Sequence, residues 1–257
     1  METKQNLGNT PFLKQPFGGI SAMTLRLVAI TCMLLDHLWA TIVPGSDWMT
    51  FLGRLAFPIF AFQIAEGFFR TADVKRYAKR LLLFALLSEI PFDLIQASTV
   101  FFPFHQNVLF TLLLGLWAIS ALDKARNKRT AAAFVKGAAV AALACLLGAV
   151  GMVDYGAKGV MTVIAFYLLR NFPFAWAAQL AAMVMLNVVW FKGWCLLLTV
   201  AGHPFEFPVQ GFALLALVPI WLYNGEKGPG GRWAQYAAYA FYPLHQLVLY
   251  LLFALLR

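Results

Sequence analysis

Nine apolar runs dominate the chain, at residues 22–43, 51–69, 80–98, 105–122, 132–152, 157–171, 174–191, 207–223 and 233–255. A helix needs roughly 20 apolar residues, at ~1.5 Å each, to cross the hydrocarbon of a bilayer. Most of the runs approach that length, and a fold in water has no interior large enough for all of them. Composition agrees: 61% of the 257 residues are hydrophobic and 12% are charged, against roughly 25% charged in a soluble domain. A disordered chain, a disulfide scaffold and an ordinary cytosolic enzyme are excluded. What remains is an all-α, polytopic transmembrane helix bundle of about nine spanning helices, with eight or ten as alternatives, forming one domain over residues 1–257. The stretch 192–206 reads equally as a re-entrant piece, an outer loop or an extension of the seventh helix. Residues 1–20 are polar and carry Gly and Pro, unlike a secretory signal.

Basic residues set the direction of the helices. Arg70, Lys75, Arg76, Lys79 and Arg80 separate runs two and three, and Lys124, Arg126, Lys128 and Arg129 separate runs four and five. Arg170 follows run six, and Lys227 and Arg232 separate runs eight and nine. With nine spans these clusters share one face with Lys4 and Lys14, and only Lys158, Lys192 and Arg257 fall opposite. The expectation is a multi-pass membrane protein with a cytoplasmic N-terminus. The same placement accounts for the net charge of +9 without nucleic acid. Cys32, Cys145 and Cys195 lie scattered inside apolar runs, so neither a disulfide framework nor a metal site is expected.

Ionisable residues at membrane depth need compensation, usually from function. Run one holds Arg26, Asp36 and His37; run two holds Arg54, Gln63 and Glu66; run three holds Glu89 and Asp93. Run four opens with His105, Gln106 and Asn107, and run nine holds His245 and Gln246. On run one, Arg26 lies ~6 Å and His37 ~22 Å above the inner end, on one face of the helix. Run two returns, which puts Glu66 level with Arg26, and Arg54 level with Asp36 and His37. Asp93, Asn107 and His245 fall at the same outer level. Pro58 and Pro91 are expected to kink their helices and free carbonyls toward this polar layer.

Histidine is suited to accept and return a proton near neutral pH. With arginine below it on one helix face, it suits transfer of an acyl group from a cytoplasmic acyl-CoA, whose phosphates favour Arg or Lys at the inner mouth. His37 would act as general base, Arg54 or Asn107 would stabilise the oxyanion, and the acceptor amine or hydroxyl would approach from the outer half. Direct transfer and an acyl-histidine intermediate both remain open. The catalytic candidates are His37, Arg26, Asp36 and Arg54. The substrate-binding candidates are Glu66, Glu89, Asp93, Asn107, Thr111 and His245. Structural readings stand beside these: Arg54–Asp36 as a helix-fastening pair, Glu66 snorkelling with Arg70, His245 as a satisfied interhelical histidine, His105 solvated, and Lys79 and Arg80 as orientation charges. A proton-coupled small-molecule transporter and a non-enzymatic envelope assembly protein are the alternative functions.

Leu-Leu-Asp-His-Leu at 34–38, Gly-Arg-Leu-Ala-Phe-Pro-Ile-Phe-Ala-Phe at 53–62, Ala-Glu-Gly-Phe at 65–68 and Arg-Leu-Leu-Leu-Phe-Ala-Leu-Leu-Ser-Glu-Ile-Pro-Phe-Asp at 80–93 resemble the TraX family of membrane proteins. Asn-Val-Leu-Phe-Thr-Leu-Leu-Leu-Gly at 107–115 and Phe-Tyr-Pro-Leu-His at 241–245 extend the likeness, which is specific toward both ends and vague from about 130 to 220. That family takes its name from acetylation of an F-type conjugative pilin. The resemblance implies acetyl-CoA as acyl donor and a place in the bacterial cytoplasmic (inner) membrane. It leaves the acceptor open among a pilin N-terminus, a glycan and a lipid-linked precursor. The Arg26-x10-His37 spacing is also similar to the first-helix signature of membrane acyltransferases that acylate sugars. That likeness implies a catalytic role for His37 and an assisting one for Arg26. Arg76 and Arg80 lack the Arg-x-x-Arg spacing of that superfamily's cytoplasmic element.

Overall fold

The computed structural model describes residues 19–190, 192–200 and 202–256. Lys4, Lys14, Arg257 and all but the last two residues of the polar 1–20 segment lie outside the described residues. The helices, in order, are α1 (Ala22–Thr41), α2 (Trp48–Gly53), α3 (Ala56–Arg70), α4 (Val74–Ala97), α5 (Val108–Lys128), α6 (Ala131–Val150), α7 (Gly156–Leu169) and α8 (Ala175–Val184). A π-helical turn, Met185–Trp190, extends α8. After a hairpin, a 3-10 segment (Val209–Ala216) leads into α9 (Leu217–Trp221), and α10 (Gly231–Leu255) ends the fold.

Each apolar run is mainly helical, but the lengths differ from nine uniform spans. Among the described residues five helical stretches are long and apolar enough to cross a membrane: α1, α2 with α3, α5, α6 and most of α10. The stretches 156–169, 175–190 and 209–221 are shorter. Helix α4 is 24 residues long but opens through Lys75, Arg76, Lys79 and Arg80. Those charges therefore sit on helical turns rather than in a loop. Asp73 caps that helix, accepting the N–H of Arg76 at 2.9 Å. The exterior is apolar: Leu82, Leu83, Leu86, Leu87 and Ile90 of α4 are 41–58% exposed. A surface of that kind is matched to lipid rather than water.

Two local expectations change. Run two does not kink at Pro58; it breaks just before, at Arg54 and Leu55, so that Pro58 falls in the first turn of α3. There a missing N–H forfeits no intrahelical bond. The stretch 192–206 is neither helix nor loop. Cys195–Val200 (β1) pairs antiparallel with His203–Pro208 (β2), Cys195 opposite Pro208 and Val200 opposite His203. Pro204 and Pro208 oppose helix, and Thr199 and Val200 favour extended chain. Among the described residues the regular structure is helical apart from this hairpin.

Helix α3 is central, packing against α1, α5, α7 and α9, and its Ile59 and Ala61 are fully buried. Helix α6 lies outside, against α5 and α7. The start of α1 is stapled to the segment after α9: Ile20 donates to Leu222 O at 2.8 Å, and Ala22 to Glu226 O at 2.8 Å. Gly228, at φ +77°, makes that approach possible, since a Cβ there would lie 2.2 Å from Ser21 Oγ.

Candidate functional site

The bundle encloses three cavities in series. At the basic end, about 410 Å³ is bounded by Arg26, Gln63, Glu66, Arg70, Arg80, Lys227, Gln235 and Tyr239. A neck of about 90 Å³ follows, with an apolar wall from Ile30, Phe60, Leu109 and Leu112. It shares Arg26, Gln63, Tyr77, Gln235 and Tyr239 with the basic cavity, and Met33, Phe60, Val108 and Tyr242 with the next one. The third, about 350 Å³, is bounded by Asp36, His37, Arg54, Asp154, Tyr155, Lys158, Gln210 and Gln246. Arg26 and His37 stand on one helix, ~16 Å apart along its axis, and so face the two outer chambers across the neck.

His37 is held by a second histidine. His37 Nδ1 and His245 Nε2 are 2.6 Å apart, and His245 Nδ1 lies 2.8 Å from Phe241 O. A carbonyl only accepts, so the hydrogen of neutral His245 is on Nδ1 and its Nε2 is the acceptor. His37 must then donate from Nδ1, which leaves the lone pair of His37 on Nε2. The two rings are parallel within 2° with centroids 4.9 Å apart, a separation that fits an N–H···N bond between ring edges. His245 is 6% exposed and backs His37 rather than facing the cavity.

Asp36, beside His37, accepts from Thr50 Oγ1 at 2.6 Å and from Arg54 Nη2 at 3.1 Å. The same Nη2 reaches Thr50 Oγ1 at 2.7 Å. The break before α3 turns Arg54 onto α1, and Gly53 permits the contact. A Cβ on Gly53 would lie 2.5 Å from Asp36 Cβ. Arg54 Nε is buried with no hydrogen-bond partner among the described residues.

At the basic end the partners differ from the level-by-level pairing. Glu66 does not pair with Arg26. Its carboxylate accepts from Arg170 Nε at 2.6 Å and Arg70 Nε at 3.1 Å. Arg26 lies 3.5 Å from Gln63 Oε1, and Gln63 in turn donates to Ala22 O at 2.9 Å. Arg26 has no carboxylate partner among the described residues. Arg80 Nε is likewise buried without a hydrogen-bond partner, its guanidinium 5.5 Å from the Tyr77 ring centre.

The other four substrate-binding candidates line none of the three cavities; they tie the far-end loops to the bundle. Asn107 is fully buried and caps α5 through Leu109 N at 3.0 Å, while its amide donates to Ala85 O and to Glu89. With both amide hydrogens engaged, it is poorly placed to hold an oxyanion. Asp93 accepts Phe102 N at 2.8 Å, and Thr111 donates to Asp154 O. Gln106 and Met152–Asp154 exchange backbone bonds of 2.8–3.0 Å, which brings Asp154 to the cavity wall.

The sequence from residue 21 to residue 253 matches the family model described as TraX protein. The chain belongs to the TraX family. One relative, "Probable fimbrial assembly protein FimC, serogroup H1" of Dichelobacter nodosus, is 30% identical over 84% of this chain and 90% of its own length. Another, "Protein TraX" of Escherichia coli, is 26% identical over 56% of this chain and 54% of its own length. No solved structure matches.

Several residues of this TraX-family site escaped the sequence. Arg170 looked like an orientation charge, but it is 6% exposed, ion-paired to Glu66 and set 4.5 Å from the Phe69 ring centre. The signal was length: a run of about 15 residues ends short of the surface, so the charge after it is drawn inward. Asp154, Tyr155 and Lys158 form a polar turn between two apolar runs, indistinguishable in sequence from an outer loop. Gln210 gave no signal.

Proposed function

We propose that the chain is an integral membrane acetyltransferase of the bacterial cytoplasmic membrane, with its basic end in the cytoplasm as the positive-inside rule requires. The acyl donor is acetyl-CoA. The observation that carries the reading is His37, whose Nε2 the His245–Phe241 chain leaves available, on a cavity that shares wall residues with a small, largely apolar one, which in turn shares walls with a chamber of cations. The residues present suit the donor: Arg26, Arg70, Arg80 and Lys227 line the chamber that would hold its phosphates, and the neck suits a thin acyl-pantetheine arm.

The acceptor approaches from the far end, where Asp36 and Asp154 line the wall. Arg54 and Lys158 stand on the same wall, so its charges balance and the acceptor is met as a neutral amine or hydroxyl. The name of one relative, a fimbrial assembly protein, favours a pilin-type subunit as acceptor, and its N-terminal amine is the group we assign. The amine lone pair forms the new C–N bond as its proton passes to His37 Nε2. The thioester carbonyl electrons move onto oxygen, stabilised by the Arg54 guanidinium. Collapse breaks the C–S bond, and the thiolate takes the proton from His37. Asp36 fixes Arg54 for that role.

The test is transfer of labelled acetyl from acetyl-CoA to a pilin subunit in proteoliposomes. His37→Ala is expected to lower turnover by about 10²–10⁴-fold while eluting as wild type in size-exclusion chromatography. Equal turnover in the folded variant removes His37 from the chemistry. Substrate uptake without an acyl donor would establish a carrier instead.

A further inference from the structure

The groove between α5 and α6 lies apart from the three cavities and plays no role in the reaction above. It encloses about 310 Å³, bounded by Trp117, Ser120, Ala121, Lys124, Ala125 and Lys128 of α5 and by Ala133, Lys136, Gly137 and Val140 of α6. Its floor is made of small residues because the helices approach closely: a Cβ on Gly137 would lie 2.8 Å from Ala125 Cβ. Lys136 is a cation about 7.5 Å inside an otherwise apolar helix. Its neighbours Phe134 and Val135 are 54% and 70% exposed, the outward setting of side chains that meet lipid. Lys124 and Lys128 lie one turn apart across the groove. No carboxylate lines it, and none of the three lysines is in an ion pair among the described residues. The nearby Asp123 is engaged by Tyr167 Oη at 3.2 Å and Asn127 at 3.1 Å. Below the lysines the groove turns apolar toward Val140 and Trp117, the latter 43% exposed.

A site with three uncompensated ammonium groups at the basic end and an apolar trough running toward mid-bilayer matches a phosphate esterified to acyl chains. A free nucleotide or inorganic phosphate has no use for the trough. We infer that this groove binds an anionic phospholipid, its phosphate held by Lys124, Lys128 and Lys136 and an acyl chain laid over Ala121, Gly137 and Val140 toward Trp117. The site is independent of the acetyl-transfer reading and survives its failure.

The experiment uses the full chain in uncharged detergent, titrated by native mass spectrometry with phosphatidylglycerol, phosphatidylcholine or inorganic phosphate. Phosphatidylglycerol is expected to be retained in preference to phosphatidylcholine. The triple variant Lys124→Gln, Lys128→Gln, Lys136→Gln should weaken it by about 10–100-fold, whereas Lys75→Gln, Arg76→Gln, Lys79→Gln, with the same loss of charge, should not. Equal weakening by both triples, or displacement of the lipid by millimolar phosphate, overturns the assignment. A second measurement avoids the lysine variants. Phosphatidylglycerol brominated on its tails should quench more of the tryptophan emission in wild type than in Trp117→Phe, and brominated phosphatidylcholine should show no such difference. Equal differences with the two lipids also overturn it.

Discussion

Removing the carboxylate of Glu66 probes the interior of the basic end. That group receives two arginines that are not equivalent: the Arg170 side chain is 4% exposed, that of Arg70 28%. Breaking a buried pair from one side costs ~3–5 kcal/mol, because the remaining charge keeps its desolvation penalty. Arg170 retains its contact with the Phe69 ring, centred 4.5 Å away, which offsets roughly 1 kcal/mol of that. Arg70 turns toward water and adds ~1 kcal/mol at most. Glu66→Ala is therefore expected to lose about 3 kcal/mol. Arg170→Met should lose less, since Glu66 keeps Arg70 at 3.1 Å. The double variant Glu66→Ala, Arg170→Met should recover part of the loss, because no unpaired charge stays buried. Thermal unfolding in detergent reads the series. At ~2–4 °C per kcal/mol for a chain of this size, Glu66→Ala lowers the apparent Tm by roughly 6–12 °C. A Glu66→Ala protein as stable as wild type, or a double variant whose loss is the sum of the two singles, would refute the buried triad.

Two further outcomes test the histidine pair and its neighbour. His245→Phe removes the acceptor for His37 Nδ1 while keeping an apolar ring in the backing position. Acetyl transfer should fall by about 10–100-fold in kcat, the worth of one charge-assisted hydrogen bond, with KM for acetyl-CoA unchanged. A matched rise in KM would show that His245 acts on binding instead. Gly53→Ala gains roughly 1 kcal/mol of helix propensity, yet its Cβ would lie 2.5 Å from Asp36 Cβ. That atom is too near the backbone to move cheaply, so a net loss of about 1–3 kcal/mol is expected as a lower apparent Tm; an unchanged or raised Tm would contradict the contact.

The sequence determined the class of fold and the levels of the polar groups, because both follow from periodicity along single helices. A run of apolar residues is a helix for lipid wherever it packs, and eleven residues between Arg26 and His37 set one face and one separation. The Asp36–Arg54 contact came from the same arithmetic applied to antiparallel neighbours. Partnership beyond that belongs to the tertiary structure. Glu66 meets Arg170, 104 residues away, and not the Arg26 at its level, because side-chain direction and helix order decide which groups share a face. Asn107 and Thr111 have the chemistry of ligand contacts, but a helix start and a loop carbonyl use their hydrogen-bonding groups first. The Asp154–Lys158 wall and the lysine groove between α5 and α6 depend on where loops and neighbouring helices come to rest. No local pattern encodes that, since the energy that fixes it is shared across many contacts distant in sequence.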